Sequence, residues 1–160
     1  MAKIYVASSW KNPFQPNLVV CLRAYGHEVY DFRNPEGRTG FSWSQIPPEH
    51  TNEDISPVND PSQWSPFQYM RALEHPIAEA GFKADFDAMK WADTFVLLLP
   101  CGRSAHLELG WAAGAGKQTY IMLTEDPVVP ELMYKMATKL VKNRTELLRE
   151  LSREEQTSYV

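Results

Sequence analysis

The chain reads as a single α/β domain: a parallel sheet of about five strands with helices on both faces. Three observations predict this. Short apolar, β-branched runs alternate with segments of helical period, the pattern of strand–helix–strand crossovers. Thr94-Phe95-Val96-Leu97-Leu98-Leu99 is apolar almost throughout, as a central strand buried on both faces should be. The 160 residues, 44% hydrophobic and 22% charged, are enough chain to enclose a core without staples.

Each element has its own signal. Lys3 to Ser8 is a short β-branched and aromatic run stopped by polar residues, hence the first strand. Pro16-Asn17 opens a helix with Leu18, Val19, Leu22 and Tyr25 on one face, and Gly26 closes it. Glu28 to Phe32 is the second strand. The stretch from about 34 to 66 has neither period. It concentrates Pro35, Pro47, Pro48, Pro57, Pro61 and Pro66 with Trp43 and Trp64. This insert is too short for a domain and too aromatic for a typical linker. Either it is a lid whose tryptophans close over a ligand, or a surface loop that packs them on its own domain. Ser65-Pro66 starts a helix, with serine as cap and proline in the first turn. Phe67, Met70, Leu73 and Ile77 then repeat at helical spacing, and Pro76 is expected to bend or end that helix.

Lys83 to Ala92 is a further helix, followed by the central strand. Ser104 to Ala115 is a helix ending at Gly116, and Gln118 to Leu123 is another strand. A helix near Pro130 to Met136 precedes a short strand at Lys139 to Val141. Asn143-Arg144-Thr145-Glu146 opens the last helix, which runs to about Glu154, and Gln156 to Val160 is expected to fray. The whole, 1–160, is expected to be one open flavodoxin- or Rossmann-like domain carrying the insert.

Composition excludes several classes. A net charge of −4 offers no electrostatic footprint for polymeric nucleic acid or an anionic membrane. No apolar run reaches the length of a membrane span. The N-terminus enters a strand at once, which predicts no signal peptide and a cytoplasmic protein. Cys21 and Cys101 are read as reduced thiols, Cys21 as a small helical hydrophobe and Cys101 as lying near a site. His27, His50, His75 and His106 show no ligand spacing, so no metal is expected.

In a parallel sheet the site lies beyond the carboxyl ends of the strands. Three segments should meet there: Ser8-Ser9-Trp10-Lys11, Cys101-Gly102-Arg103-Ser104 and Thr124-Glu125-Asp126. The second leads from the central strand into a helix. Backbone N–H groups at that helix start, with Arg103 and the Ser104 hydroxyl, suit an anion such as a phosphate. Glu108 shares a helix face with Ser104, and the next turn of that face is the small Ala112. Glu108 is therefore either a site carboxylate or a solvated, salt-bridged helix residue. His106 points to the opposite side and reads as a packed or interface histidine.

Three blocks resemble the nucleoside 2-deoxyribosyltransferase superfamily, which includes 2′-deoxynucleoside 5′-monophosphate N-glycosidases and related nucleotide hydrolases. They are Ile4 to Lys11; Asp85, Met89 and Ala92-Asp93 leading into Phe95-Val96-Leu97; and Gly102 to Lys117, with its Glu108-Leu109-Gly110 and small-residue run ending in Gly116-Lys117. The resemblance covers roughly the first 30 residues and 82–155, leaving out the insert. It implies Glu108 as nucleophile and Asp85 as the residue that holds the sugar and handles protons, with Asp87 a close competitor. It implies that Tyr5 lines the base or sugar pocket, and that Ser9 and Lys11 contact sugar or phosphate. Ser8, Gly102, Arg103, Ser104 and Trp43 complete the candidate substrate contacts. It implies no cofactor, and a homodimer in which a neighbour completes the pocket, with Arg38, Tyr69, Arg71 and Met133 as candidates. The chain departs from the pattern at Lys11, where arginine is usual, at His106, where a bulkier apolar or aromatic residue is usual, and at the Arg103-Ser104 turn.

The expected chemistry follows. A carboxylate on the face opposite the base stabilises or traps an oxocarbenium-like sugar, and a second acid assists the departing base. Water as acceptor gives a hydrolase, and a second base gives a transferase. Two other readings remain open: a TIR-like NAD glycohydrolase, and a nucleotide-binding sensor without turnover.

Overall fold

The computed structural model describes residues 1–35, 39–47 and 60–157. Arg38, His50, Pro48, Pro57 and the tail 158–160 lie outside the described residues. Five strands form where the apolar runs fall: β1 (Lys3–Ala7), β2 (Glu28–Tyr30), β3 (Thr94–Leu98), β4 (Gln118–Met122) and β5 (Lys139–Val141). They pair in parallel in the order β2-β1-β3-β4-β5. Every residue of β3 is buried, which is why its sequence is continuously apolar. The helices are α1 (Gln15–Ala24), α2 (Pro66–Leu73), α3 (Pro76–Trp91), α4 (Arg103–Gly114) and α5 (Arg144–Thr157).

The chain divides into two compact units. Met1–Asp31 with Ala88–Val160 forms the first, and Phe32–Asp87 the second, which contains the whole of the expected insert. In the first unit, strand alternation sends successive side chains to opposite faces. Ile4, Val6, Val96, Leu98, Tyr120, Met122 and Val141 pack with Leu18, Val19 and Leu22 of α1 and Leu147 and Leu151 of α5. Each such fully buried aliphatic side chain contributes about 1.5–3 kcal/mol. On the other face Tyr5 stacks on Tyr30 and Phe95, with ring centroids 5.3 and 5.0 Å away, and Trp111 of α4 lies 6.3 Å from Phe95.

The amino edge of this sheet is bolted by side chains. Both Asp93 carboxylate oxygens accept from the Lys3 N–H, at 3.1 and 3.2 Å. The Lys117 ammonium donates to the Lys90 carbonyl at 3.1 Å and to the Ala92 carbonyl, and stands 5.6 Å over the Trp111 ring. It thereby satisfies carbonyls left without helical partners at the end of α3. Gly26 (φ +87°) and Gly116 (φ +72°) end α1 and α4 in the left-handed region, where a side chain would be strained. The next N–H in each case reaches back to the helix, His27 to Leu22 O and Lys117 to Ala112 O.

Several boundaries differ from expectation. Tyr25, expected on the buried face of α1, is 65% exposed, because Gly26 turns the chain away just beyond it. In the second unit, Ser65 caps α2 through the Gln68 N–H and Gln68 returns a bond to the Ser65 N–H. The Phe67, Met70 and Leu73 stripe faces solvent, and Ala72 is the buried residue of α2. The helix stops before Pro76 and a new one starts there, seven residues ahead of the expected Lys83. The His75 imidazole accepts from the Ile77 N–H at 3.2 Å and so starts the new helix. Trp43 meets Phe41, Trp64 and Tyr69 edge-on at centroid distances of 4.9, 5.9 and 5.5 Å. With Trp64 it packs beside buried Ile46, Ala72 and Ala78. The helix expected near Pro130 to Met136 is a 3-10 turn over Leu132–Met136, begun by the Glu131 carboxylate accepting from the Met133 N–H.

Candidate active site

Strand ends leave backbone groups without ladder partners, and the turn after β1 satisfies those of β3. Asn12 is 1% exposed. Its Nδ2 donates to the Leu98 and Pro100 carbonyls, both at 3.2 Å, and its Oδ1 accepts from the Phe14 N–H at 2.9 Å. Ser8 Oγ donates to the same Leu98 carbonyl at 2.9 Å. Ser9 Oγ accepts from the Lys11 N–H at 3.1 Å. These bonds clasp residues 8–14 onto the carboxyl end of β3. Sequence reasoning missed Asn12, although Asn12-Pro13 is a readable turn signal.

Beyond β3 the chain enters α4 through Gly102, which precedes the helix in extended conformation. Gly102, Arg103 and Ser104 are exposed, and Glu108, one turn further on, is half-buried. The Cys101 thiol is pushed up to about 12, chiefly by burial and then by the negative charges of Glu108 and Glu125. It is therefore a neutral thiol at ordinary pH and no nucleophile. On the β4 side, Thr124 Oγ1 donates to the Leu99 carbonyl and pins the turn that carries Glu125.

His106 is packed and hydrogen-bonded. Its Nδ1 lies 2.8 Å from the Gly102 carbonyl and its Nε2 2.8 Å from the Tyr134 hydroxyl, with the two rings stacked 5.7 Å apart. A carbonyl only accepts, so Nδ1 carries the proton and Nε2 accepts from Tyr134. Burial raises the Tyr134 phenol, with further upward pushes from Cys101, Glu125 and Glu131.

The remaining expected residues are placed as follows. Tyr5 is 1% exposed within the ring row of the first unit, and Lys11 is exposed. Asp85, half-buried, and Asp87 lie on the part of α3 that belongs to the second unit, and Trp43 lies elsewhere in that unit. Asp87 pairs with Lys83 one turn away. Among the described residues no group of three or more His, Cys, Asp or Glu is arranged to hold a metal. Among them, too, no helix is long and apolar enough to cross a membrane.

No protein-family model and no curated protein matches the chain. Solved structures do. A 2-deoxyribosyltransferase from Bacillus psychrosaccharolyticus is similar at a TM-score of 0.50 and 18% identity, over 88% of this chain and 85% of that one. A CMP N-glycosidase from Clostridium botulinum is similar at a TM-score of 0.50 and 17% identity, over 93% of this chain and 97% of that one. The chain thus shares its fold with a 2-deoxyribosyltransferase and a CMP N-glycosidase.

Proposed function

We propose that the chain cleaves the N-glycosidic bond of a nucleoside or nucleoside 5′-monophosphate, or exchanges its base, with Glu108 as nucleophile. The observation that carries this reading is the position of Glu108. It is half-buried one turn inside the helix that follows the central strand, at the edge where a clasped turn also presents Ser9 and Lys11. Two structural neighbours, a deoxyribosyltransferase and a CMP N-glycosidase, support the reaction class.

A Glu108 oxygen attacks the anomeric carbon on the face opposite the base. The carbon–nitrogen bond breaks, its electron pair leaves on the base nitrogen, and an acid protonates the base. The resemblance gives that acid role, with a share in holding the sugar, to Asp85. Water then attacks the anomeric carbon and gives a proton to the acid that the first step left deprotonated, the bond to Glu108 breaks, and both carboxyl groups return to their starting states. A second base in place of water gives transfer. The exposed start of α4, with Arg103, Ser104 and Lys11, supports binding of a single 5′-phosphate. The same reading has the protein work on a small nucleotide as a cytoplasmic homodimer.

The test is a panel of deoxynucleotides, ribonucleotides and NAD, with released base followed by chromatography. The native protein is expected to release base, and Glu108→Ala to lose on the order of 10³-fold or more of kcat. Full turnover by Glu108→Ala refutes the assignment. Nucleotide binding with no base release by the native protein favours the sensor.

A further inference from the structure

Gln15, the first residue of α1, is wholly buried. A buried amide is costly unless both ends are hydrogen-bonded. Here Nε2 donates to Asp31 Oδ1 at 2.9 Å, while Oε1 is buried with no hydrogen-bond partner among the described residues. Asp31 follows β2 directly, is half-buried, and lies one residue beyond the Tyr5–Tyr30 register pair. The outer strand thus ends in a carboxylate held by a buried amide, with an undonated acceptor beside it. A half-buried carboxylate fixed in this way matches a group that donates hydrogens.

We infer that Asp31, held by Gln15, reads the exocyclic amino group of the substrate's base, so that the enzyme favours amino-bearing bases over their carbonyl counterparts. The inference rests on the glycosidase reading. If Glu108 meets the anomeric carbon, the sugar lies beside α4 and β3. β2 stands two strands away, about 10 Å at ordinary strand spacing. A sugar hydroxyl next to the anomeric carbon is too close to Glu108 to reach that far. A phosphate is repelled by the carboxylate. The far edge of the base remains, and its amino group donates where a carbonyl only accepts. Asp31, half-buried, touches the base, and the wholly buried Gln15 is its positioning residue.

The experiment compares substrates that differ only in that group: CMP with UMP, AMP with IMP, and the deoxy forms. Native protein is expected to favour the amino member by about tenfold or more in kcat/KM. Asp31→Asn, whose amide donates to a carbonyl, is expected to erase or reverse the ratio. Gln15→Met is expected to raise KM for the amino member with kcat little changed. Equal rates on both members by the native protein overturn the inference, even if Asp31→Asn fails to fold. An unchanged ratio in a folded Asp31→Asn overturns it too and leaves the pair a structural tie with a buried water only. So does a ratio that moves with Glu125→Gln instead. Calorimetric binding of the same pairs to Glu108→Gln separates the two readings. Absence of base release by the native protein ends the glycosidase reading, while preferential binding of the amino member still upholds this one. Equal or absent binding overturns it.

Discussion

Replacing Asn12 with alanine removes three hydrogen bonds at once from the carboxyl edge of the sheet. Each intramolecular bond of this kind contributes about 1 kcal/mol net, and a buried group left unpaired costs more. The three losses are unequal. The Leu98 carbonyl keeps the Ser8 hydroxyl, and Pro100 is exposed, so its carbonyl rehydrates. The expected destabilisation is therefore about 2 kcal/mol, below the simple total of about 3. For a chain of this size each kcal/mol lowers Tm by about 2–4 °C, so a fall of about 4–8 °C is expected. Asn12→Asp divides the contribution. It keeps the acceptor for Phe14 but turns a carboxylate oxygen toward two carbonyls, and is expected to melt below Asn12→Ala at neutral pH. Thermal unfolding followed by circular dichroism at fixed protein concentration measures both. A Tm for Asn12→Ala within about 1 °C of the native value would refute the clasp, as would an aspartate variant more stable than the alanine one.

Two further outcomes are expected. Lys117→Met keeps the apolar stem but removes the ammonium that caps α3 and faces Trp111, so urea unfolding should report a loss of about 2 kcal/mol with kcat/KM unchanged; no loss of stability would show the cap to be idle. The Cys101 thiol is pushed up to about 12 in the folded chain from about 9 unfolded. Its neutral form is the one the fold favours, so the associated stability is complete below the unfolded value and is lost as pH rises from about 9 toward 12. Native Tm should accordingly fall more steeply over that range than that of Cys101→Ser, and parallel curves would refute the burial argument.

What was legible in the sequence is what local chemistry determines. The run from Thr94 to Gly116 read correctly in kind because a strand buried on both faces must be apolar and a glycine must end the helix. Ser65-Pro66 gave the start of α2 for the same reason, since cap and first turn lie within four residues. The misses are non-local. Asn12 acts on carbonyls 86 and 88 residues away, and Gln15 on a carboxylate across a helix and a strand. The restart at Pro76 depended on the His75 ring serving as an acceptor. The Phe67 stripe had helical period, yet Phe67, Met70 and Leu73 stay exposed, because period alone does not say whether another element covers a face. The position of Glu108 one turn into the helix after the central strand was legible, whereas the clasp of residues 8–14 onto β3 was not.

The block from Gly102 to Lys117 looks like one motif, but its two ends do different things. α4 has twelve residues and so spans about 18 Å. Gly102 to Glu108 lie at the carboxyl edge of the sheet. Gly116 and Lys117 lie at the amino edge, where the ammonium holds the end of α3. The Gly-Lys end therefore reports scaffolding and carries little information about chemistry. Departures bear on substrate only near the other end. His106 is one of them, yet its ring is engaged on both nitrogens by Gly102 and Tyr134. Residues two apart on a helix project about 200° apart, so a change absorbed on the Tyr134 side leaves the Glu108 face as it was. On the proposed reading, that leaves the exposed Arg103-Ser104 turn and Lys11 as the departures that bear on the anion, and Asp31, held by Gln15, as the residue that bears on the base.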